Sequence, residues 1–263
     1  MTDSPAQDEL AGTEQPFVVH LMELRGRLVK ALIAVAIVAV VLGLYPGPAA
    51  LYDLMAAPLV AHLPKGATLI ATSVMSPFMV PLKVLLMSAL MLALPVVLYQ
   101  VWAFVAPGLY AHERRLVLPL VVSSTILFFV GVSFCYFFVF GRVFAFIQSF
   151  APASITASPD IEEYLGFVLS MFLAFGMAFE VPVVVVLLAR IGVISIQKLK
   201  EWRGYFVVIA FVIAAIVTPP DVVSQLALAI PMCVLYEIGI WAAQLFLRHT
   251  QAVETSPQDP NGL

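Results

Sequence analysis

The sequence predicts an all-α polytopic membrane protein with six transmembrane helices and cytoplasmic N- and C-termini, and three observations carry that expectation. Hydrophobic residues make up 62% of the 263 and charged residues 11%, with a mean hydropathy of +1.05, far outside the range of soluble domains. Six apolar runs follow one another along the chain, and only a helix satisfies its own backbone polar groups inside lipid. The basic residues are shared unequally between the two sets of loops. With a cytoplasmic N-terminus, Arg25, Arg27, Lys30, Arg114, Arg115, Arg190, Lys198, Lys200, Arg203 and Arg248 fall inside, and only Lys65, Lys83 and Arg142 of the 13 fall outside.

Residues 1–16 are polar, acidic and Pro-bearing, and predict a disordered cytoplasmic tail. The N-terminus carries Asp3, Asp8, Glu9 and Glu14 in place of a basic n-region, and the first apolar run begins only near Ala31, so a cleaved signal peptide is not expected. From Phe17 to Leu28, Val18, Leu21, Leu24 and Leu28 share one helical face while His20, Glu23 and Arg27 share another, which predicts an amphipathic helix on the membrane surface. The spans are expected over Ala31–Tyr45, Pro77–Val105, Leu116–Gly141, Tyr164–Ala189, Tyr205–Thr218 and from Val222 to about Leu245. The membrane domain is thus 17–247, followed by a second disordered tail over 248–263. The far-side loops are 46–76 and about 142–163, the first carrying Pro46, Pro48, Pro58 and Pro64 and so expected to form short helices and turns.

The last two helices are expected to be short. Fourteen residues from Tyr205 reach only about 21 Å, against a hydrocarbon core of about 30 Å. Thr218-Pro219-Pro220-Asp221 then reverses the chain, so a shallow hairpin in locally thinned membrane is expected.

Several chemistries are excluded. All four histidines, His20, His62, His112 and His249, lie outside the apolar runs, so no intramembrane Ser-His hydrolase is built here. There is no Walker loop and no GxGxxG, and the composition indicates no nucleic-acid partner. Cys135 and Cys233 lie within apolar runs and lack metal-ligand spacing, which predicts packing and no metal or cofactor.

What remains is a set of placed charges. Tyr99 to Arg115 joins a Pro107-Gly108 turn, several aromatic residues and a Glu113-Arg114-Arg115 cluster between two spans, as in a membrane-surface recognition loop. Glu23 and Glu113 both stand at cytoplasmic ends of spans. Two convergent carboxylates would receive guanidinium groups, whose planar fork a carboxylate accepts in bidentate fashion. Local pairing is the simpler alternative: Glu23 has Arg27 at i+4, and Glu113 has its own arginines.

The stretches His20-Leu-Met-Glu23-Leu-Arg25-Gly-Arg27, Phe104-Val-Ala-Pro107-Gly108-Leu-Tyr110-Ala-His112-Glu113-Arg-Arg115, Phe175-Gly-Met-Ala-Phe-Glu180-Val-Pro182 and Thr218-Pro-Pro-Asp221 together resemble the TatC subunit of the twin-arginine translocase. That resemblance implies six spans curved into a cup in the bacterial inner membrane. It also implies a non-enzymatic receptor for twin-arginine signal peptides of folded proteins, energised by the proton gradient. Glu23, Arg25, Phe104, Glu113 and Arg115 are then the implied signal-peptide-binding residues. The implied partners are TatA- and TatB-like single-span subunits, with self-association in a larger complex. One departure is visible: many relatives carry an acid shortly before the position of Phe78, where this chain reads Val74-Met75-Ser76-Pro77.

Glu180 falls within the fourth span, where a carboxylate carries an insertion penalty of about 2.5–3.5 kcal/mol and so should face a cavity or a partner. Pro182 removes the intrahelical bond to the carbonyl of Ala178, which predicts a kink there. Gln225 can hydrogen-bond a partner helix. Asp221 and Pro58 are the candidate far-side contacts, while Lys83 and Glu237 are expected to be structural. A proton- or ion-coupled transporter using Glu180 is the main alternative, although the two halves show no inverted repeat. A scaffold that only assembles other subunits is a third reading.

Overall fold

The computed structural model is helical throughout and describes residues 6–60, 69–105, 117–149, 159–218 and 221–254. The helices are α1 (Ala6–Leu44), α2 (Pro48–Val60), α3 (Ser76–Val105), α4 (Val117–Phe134), α5 (Phe140–Ser149), α6 (Ile161–Ala178), α7 (Val181–Arg190), α8 (Ile196–Glu201), α9 (Arg203–Val217) and α10 (Val222–Glu254). A π turn, Cys135–Val139, joins α4 to α5 without a break in the helix.

Among the described residues, five stretches are long and apolar enough to cross a bilayer: Leu21–Leu44, Ser76–Phe104, Val117–Phe146, Ile161–Arg190 and Val222–Leu245. They coincide with expected spans one to four and six. The fifth expected span is α9, whose 15 residues rise about 22 Å. The expectation that helix six is short is corrected: α10 has 33 residues, and its apolar part alone has 24, about 36 Å. It continues through Pro231 because neighbouring helices can re-satisfy the freed backbone inside a membrane domain.

Other boundaries also differ. The surface helix and the first span form one unbroken α1, whose helical backbone begins inside the stretch expected as a tail. The helix of the third span does not end at Gly141 but runs on through the π turn and α5 to Ser149, its apolar part reaching Phe146. Arg142, carried in that helix, is exposed beside apolar neighbours, a setting in which a long basic side chain can snorkel. The loop expected from 46 holds the helix α2, as its prolines suggested. The kink expected at Ala178 is present as a break: α6 ends there, and Pro182 stands in the first turn of α7.

The chain divides into two compact units. The first comprises Met1–Tyr52 and Pro81–Thr125. Its core joins Leu42 of α1 to Leu85 and Ala89 of α3, with Val35, Val38, Ala39 and Leu51 packed around them. Near its other end the buried Trp102 donates its indole N–H to Ser124 Oγ at 3.0 Å, so a polar pair closes α3 on α4.

The second unit comprises Asp53–Val80 and Ile126–Leu263. Water does not drive helix association in lipid, so close contact must, and glycine makes it possible. A Cβ on Gly131 would lie 2.5 Å from the Phe175 carbonyl oxygen and 2.9 Å from the Phe179 ring, and one on Gly176 would overlap the Phe128 ring. Helices α4 and α6 therefore meet backbone to backbone. Around this crossing the Phe134 ring lies 6.0 Å from Phe175 and 5.8 Å from Phe179. A separate cluster joins Val185 and Ala189 of α7, Leu199 of α8, and Tyr236, Ile240 and Ala243 of α10. There Tyr236 stacks on Phe206 at 4.0 Å and donates its hydroxyl to the Leu199 carbonyl at 2.8 Å.

Candidate functional site

Glu23 lies on α1, where the i+4 spacing brings Arg27 onto the same face. The Arg27 Nη2 and Nε donate to the same carboxylate oxygen, Glu23 Oε1, at 2.6 and 3.0 Å. The local partner anticipated from spacing is therefore in place. Both side chains remain partly exposed, and an i,i+4 pair of this kind contributes only about 0.3–0.5 kcal/mol. Glu23 Oε2 takes no part in it. Arg25 is exposed on the same helix, and Phe104 is half-buried near the end of α3. Glu113 and Arg115 lie outside the described residues, as do the side chains of His20 and Pro58, although Pro58 falls within α2.

In the second unit, Glu180 occupies the break between α6 and α7. Its backbone N–H donates to the Met177 carbonyl at 3.1 Å and its carbonyl accepts from the Val184 N–H at 3.0 Å, so one turn of altered pitch links the two helices. Both carboxylate oxygens are shielded from solvent. Gln225 is committed in part to α9, where its side-chain amide reaches the Phe211 carbonyl at 3.3 Å. Asp221 caps α10: its Oδ1 accepts from the Ser224 N–H at 2.7 Å. Its Oδ2 and the Ser224 hydroxyl are buried with no hydrogen-bond partner among the described residues, which leaves polar capacity beside Gln225. Glu237 is paired with a basic residue of the neighbouring helix. Arg203 forks onto it at 2.7 Å (Nε to Oε1) and 2.8 Å (Nη2 to Oε2), joining α9 to α10 at an exposed site.

Sequence reasoning missed a polar latch at the start of α6. Asp160 Oδ1 accepts from the N–H groups of Glu162 and Glu163 at 2.8 and 3.1 Å, while Oδ2 accepts from the Thr72 hydroxyl at 2.7 Å and the Thr72 N–H at 2.9 Å. Beside it Ser76, almost fully buried, donates to Glu162 Oε2 at 2.9 Å, and Ile70 pairs with Asp160 in an isolated parallel bridge. Glu162 thus brings a carboxylate to the region before Phe78, where the sequence itself has none. The Asp-x-Glu-Glu opening of α6 signals the cap, but nothing local signals Thr72, 88 residues away.

The Thr72 hydroxyl, followed by the surrounding N–H donors, lowers the Asp160 pKa from 3.8 to about 2. A carboxyl depressed on folding stabilises the fold fully above 3.8, and that contribution disappears as pH falls through about 2. Amide exchange should therefore show the Thr72 N–H protected from neutral pH down to about 4 and released toward about 2. Release already near pH 6 would contradict the latch.

Among the described residues no group of His, Cys, Asp or Glu is arranged to hold a metal ion. Long apolar helices, charges held at helix ends and helix breaks, and glycine-mediated crossings together define a multi-span helical membrane protein. The profile of the family described as Sec-independent protein translocase protein (TatC) matches residues 19–231, and the chain belongs to that family. It is 49% identical to the Sec-independent protein translocase protein TatC of Escherichia coli over 233 residues, 89% of this chain and 90% of that protein. Against the TatC of Halothiobacillus neapolitanus it is 50% identical over 232 residues, 88% of this chain but only 63% of that longer protein. The crystal structure of the twin arginine translocase receptor TatC superposes with a TM-score of 0.75 at 38% identity, covering 87% of this chain and all of that one. The family assignment gives no support to the ion-coupled transporter.

Proposed function

We propose that the chain is the signal-peptide receptor and core subunit of a twin-arginine protein translocase in the bacterial inner membrane. The observation that carries this reading is its likeness to the twin arginine translocase receptor at 38% identity over 87% of the chain. In this reading α9 is the sixth span, and the N- and C-termini share the cytoplasmic side, as the ten-to-three division of basic residues favours.

Recognition is assigned to Glu23 and Glu113. The Glu23 carboxylate already accepts a guanidinium through two donors, so its chemistry suits the paired arginines of a signal peptide. Arg27 is weakly held and exchangeable, which makes it a placeholder for the ligand. Arg25, Phe104 and Arg115 complete the proposed binding surface. Glu180 supplies a shielded carboxylate at a helix break for the signal peptide or a partner. Gln225, the free capacity of Asp221, and Pro58 of α2 offer contacts to TatA- and TatB-like single-span subunits.

Titration of the full chain in lipid vesicles with a labelled twin-arginine signal peptide tests the assignment. Saturable binding is expected, weakened at least about tenfold when both arginines become lysines, because lysine lacks the planar fork. Equal binding of the two peptides would leave the receptor reading without its chemistry.

A further inference from the structure

The π turn and α5 face the first half of α10 across a groove of about 320 Å3 within the second unit. Phe134, Phe138 and Arg142 form one wall, and Leu226, Ala227 and Ile230 form the other. The Phe134 and Phe138 rings stack at 5.4 Å and 24°, giving one wall a continuous aromatic surface. Opposite them Pro231 has no N–H to offer Ala227, so that carbonyl loses its intrahelical bond beside the groove.

The lining selects the occupant. From Phe134 to Arg142, and from Val223 to Pro231, each wall advances about 12 Å. Along that length the lining is apolar apart from Arg142, which suits a hydrocarbon chain with an anionic head beside the guanidinium. Arg142 is the one ionisable residue in the lining, is exposed, and forms no ion pair among the described residues. It lies toward the end of its span, and α10 opens into the groove from its own first turn. The slot therefore runs inward from a membrane surface, with a guanidinium at its outer end.

We propose that this groove binds one acyl chain of an anionic phospholipid, with the lipid phosphate held by Arg142. The apolar walls take the chain, and the planar guanidinium accepts the phosphate oxygens as a fork. Neither Glu180 nor Asp221 and Gln225 line the groove, and the proposal does not depend on the receptor reading.

Native mass spectrometry of the full chain, released from vesicles holding equal amounts of phosphatidylglycerol and phosphatidylcholine, tests it. Phosphatidylglycerol should be retained over phosphatidylcholine by roughly fivefold, the contribution of one basic residue at an anionic surface. Arg142→Gln should abolish that preference and Arg142→Lys should restore most of it, which separates lost charge from a damaged fold. Ala227→Phe should fill the slot and remove both lipids. The proposal is overturned if the parent shows no preference, if Arg142→Gln keeps it, or if Ala227→Phe retains lipid. It is equally overturned if a photoreactive side chain at Ile230 captures a spanning peptide instead of lipid.

Discussion

Charge reversal at Glu23 is expected to weaken binding of a twin-arginine peptide by roughly ten- to a hundredfold, because each charged hydrogen bond lost contributes about 1.5–3 kcal/mol. Glu23→Lys also places a third cation beside Arg25 and Arg27, so repulsion adds to the lost acceptor. Glu23→Gln should fall between the two, since it keeps a neutral oxygen at the same place. Glu113→Lys should match Glu23→Lys if the two acids act on the same ligand. The informative companion is Arg27→Ala. It frees the carboxylate from its internal partner, and release from a pair worth about 0.3–0.5 kcal/mol predicts binding unchanged or about twofold tighter. Fluorescence titration of the four variants checks this. If Arg27→Ala were as damaging as Glu23→Lys, the pair would be a structural brace and Glu23 would not be the receptor.

The second large effect is expected at Gly131. Alanine there sets a methyl group 2.5 Å from the Phe175 carbonyl oxygen, and backbone cannot swing aside as a side chain can. Helices α4 and α6 must separate, with a loss of about 1–3 kcal/mol by analogy with overpacked cores. Gly166→Ala on α6 is the control, because its new methyl group meets nothing within 4 Å. That change should be neutral or stabilising by up to about 1 kcal/mol through helix propensity. Unfolding in detergent should therefore rank Gly131→Ala well below Gly166→Ala, and equal midpoints would show that the crossing tolerates separation. The loss should also reach the α6–α7 break, since the Phe179 ring that Gly131 touches is the neighbour of Glu180.

The spans were legible because a bilayer demands long uncharged runs, and such runs need no partner to be recognised. Pro182 was equally legible, since its missing N–H acts on its own helix. Features that depend on distant contacts were not. The π turn at Cys135 has no local marker in a run of aromatic and β-branched residues. The bounds of the apolar part of α10 were legible, but pairing it with the short α9 in a hairpin made it seem short, and the helix continues past Leu245 into polar sequence. At the site, spacing identified the Glu23–Arg27 pair and the carboxylate at Glu180. It missed the Asp160–Thr72 latch, whose two halves belong to loops far apart in the chain. Glu113 and Arg115 remain assigned through motif resemblance.

The unbroken α1 has a mechanical consequence. Its 39 residues form a rod about 58 Å long, and Glu23 lies about 31 Å from Leu44, the width of the hydrocarbon layer. No loop intervenes to absorb a push at the outer end. A peptide that tugs on Glu23 would tilt the whole rod, and its foot, seated on Leu85 and Ala89, would swing at the opposite face of the membrane without any signal having to travel through the interior.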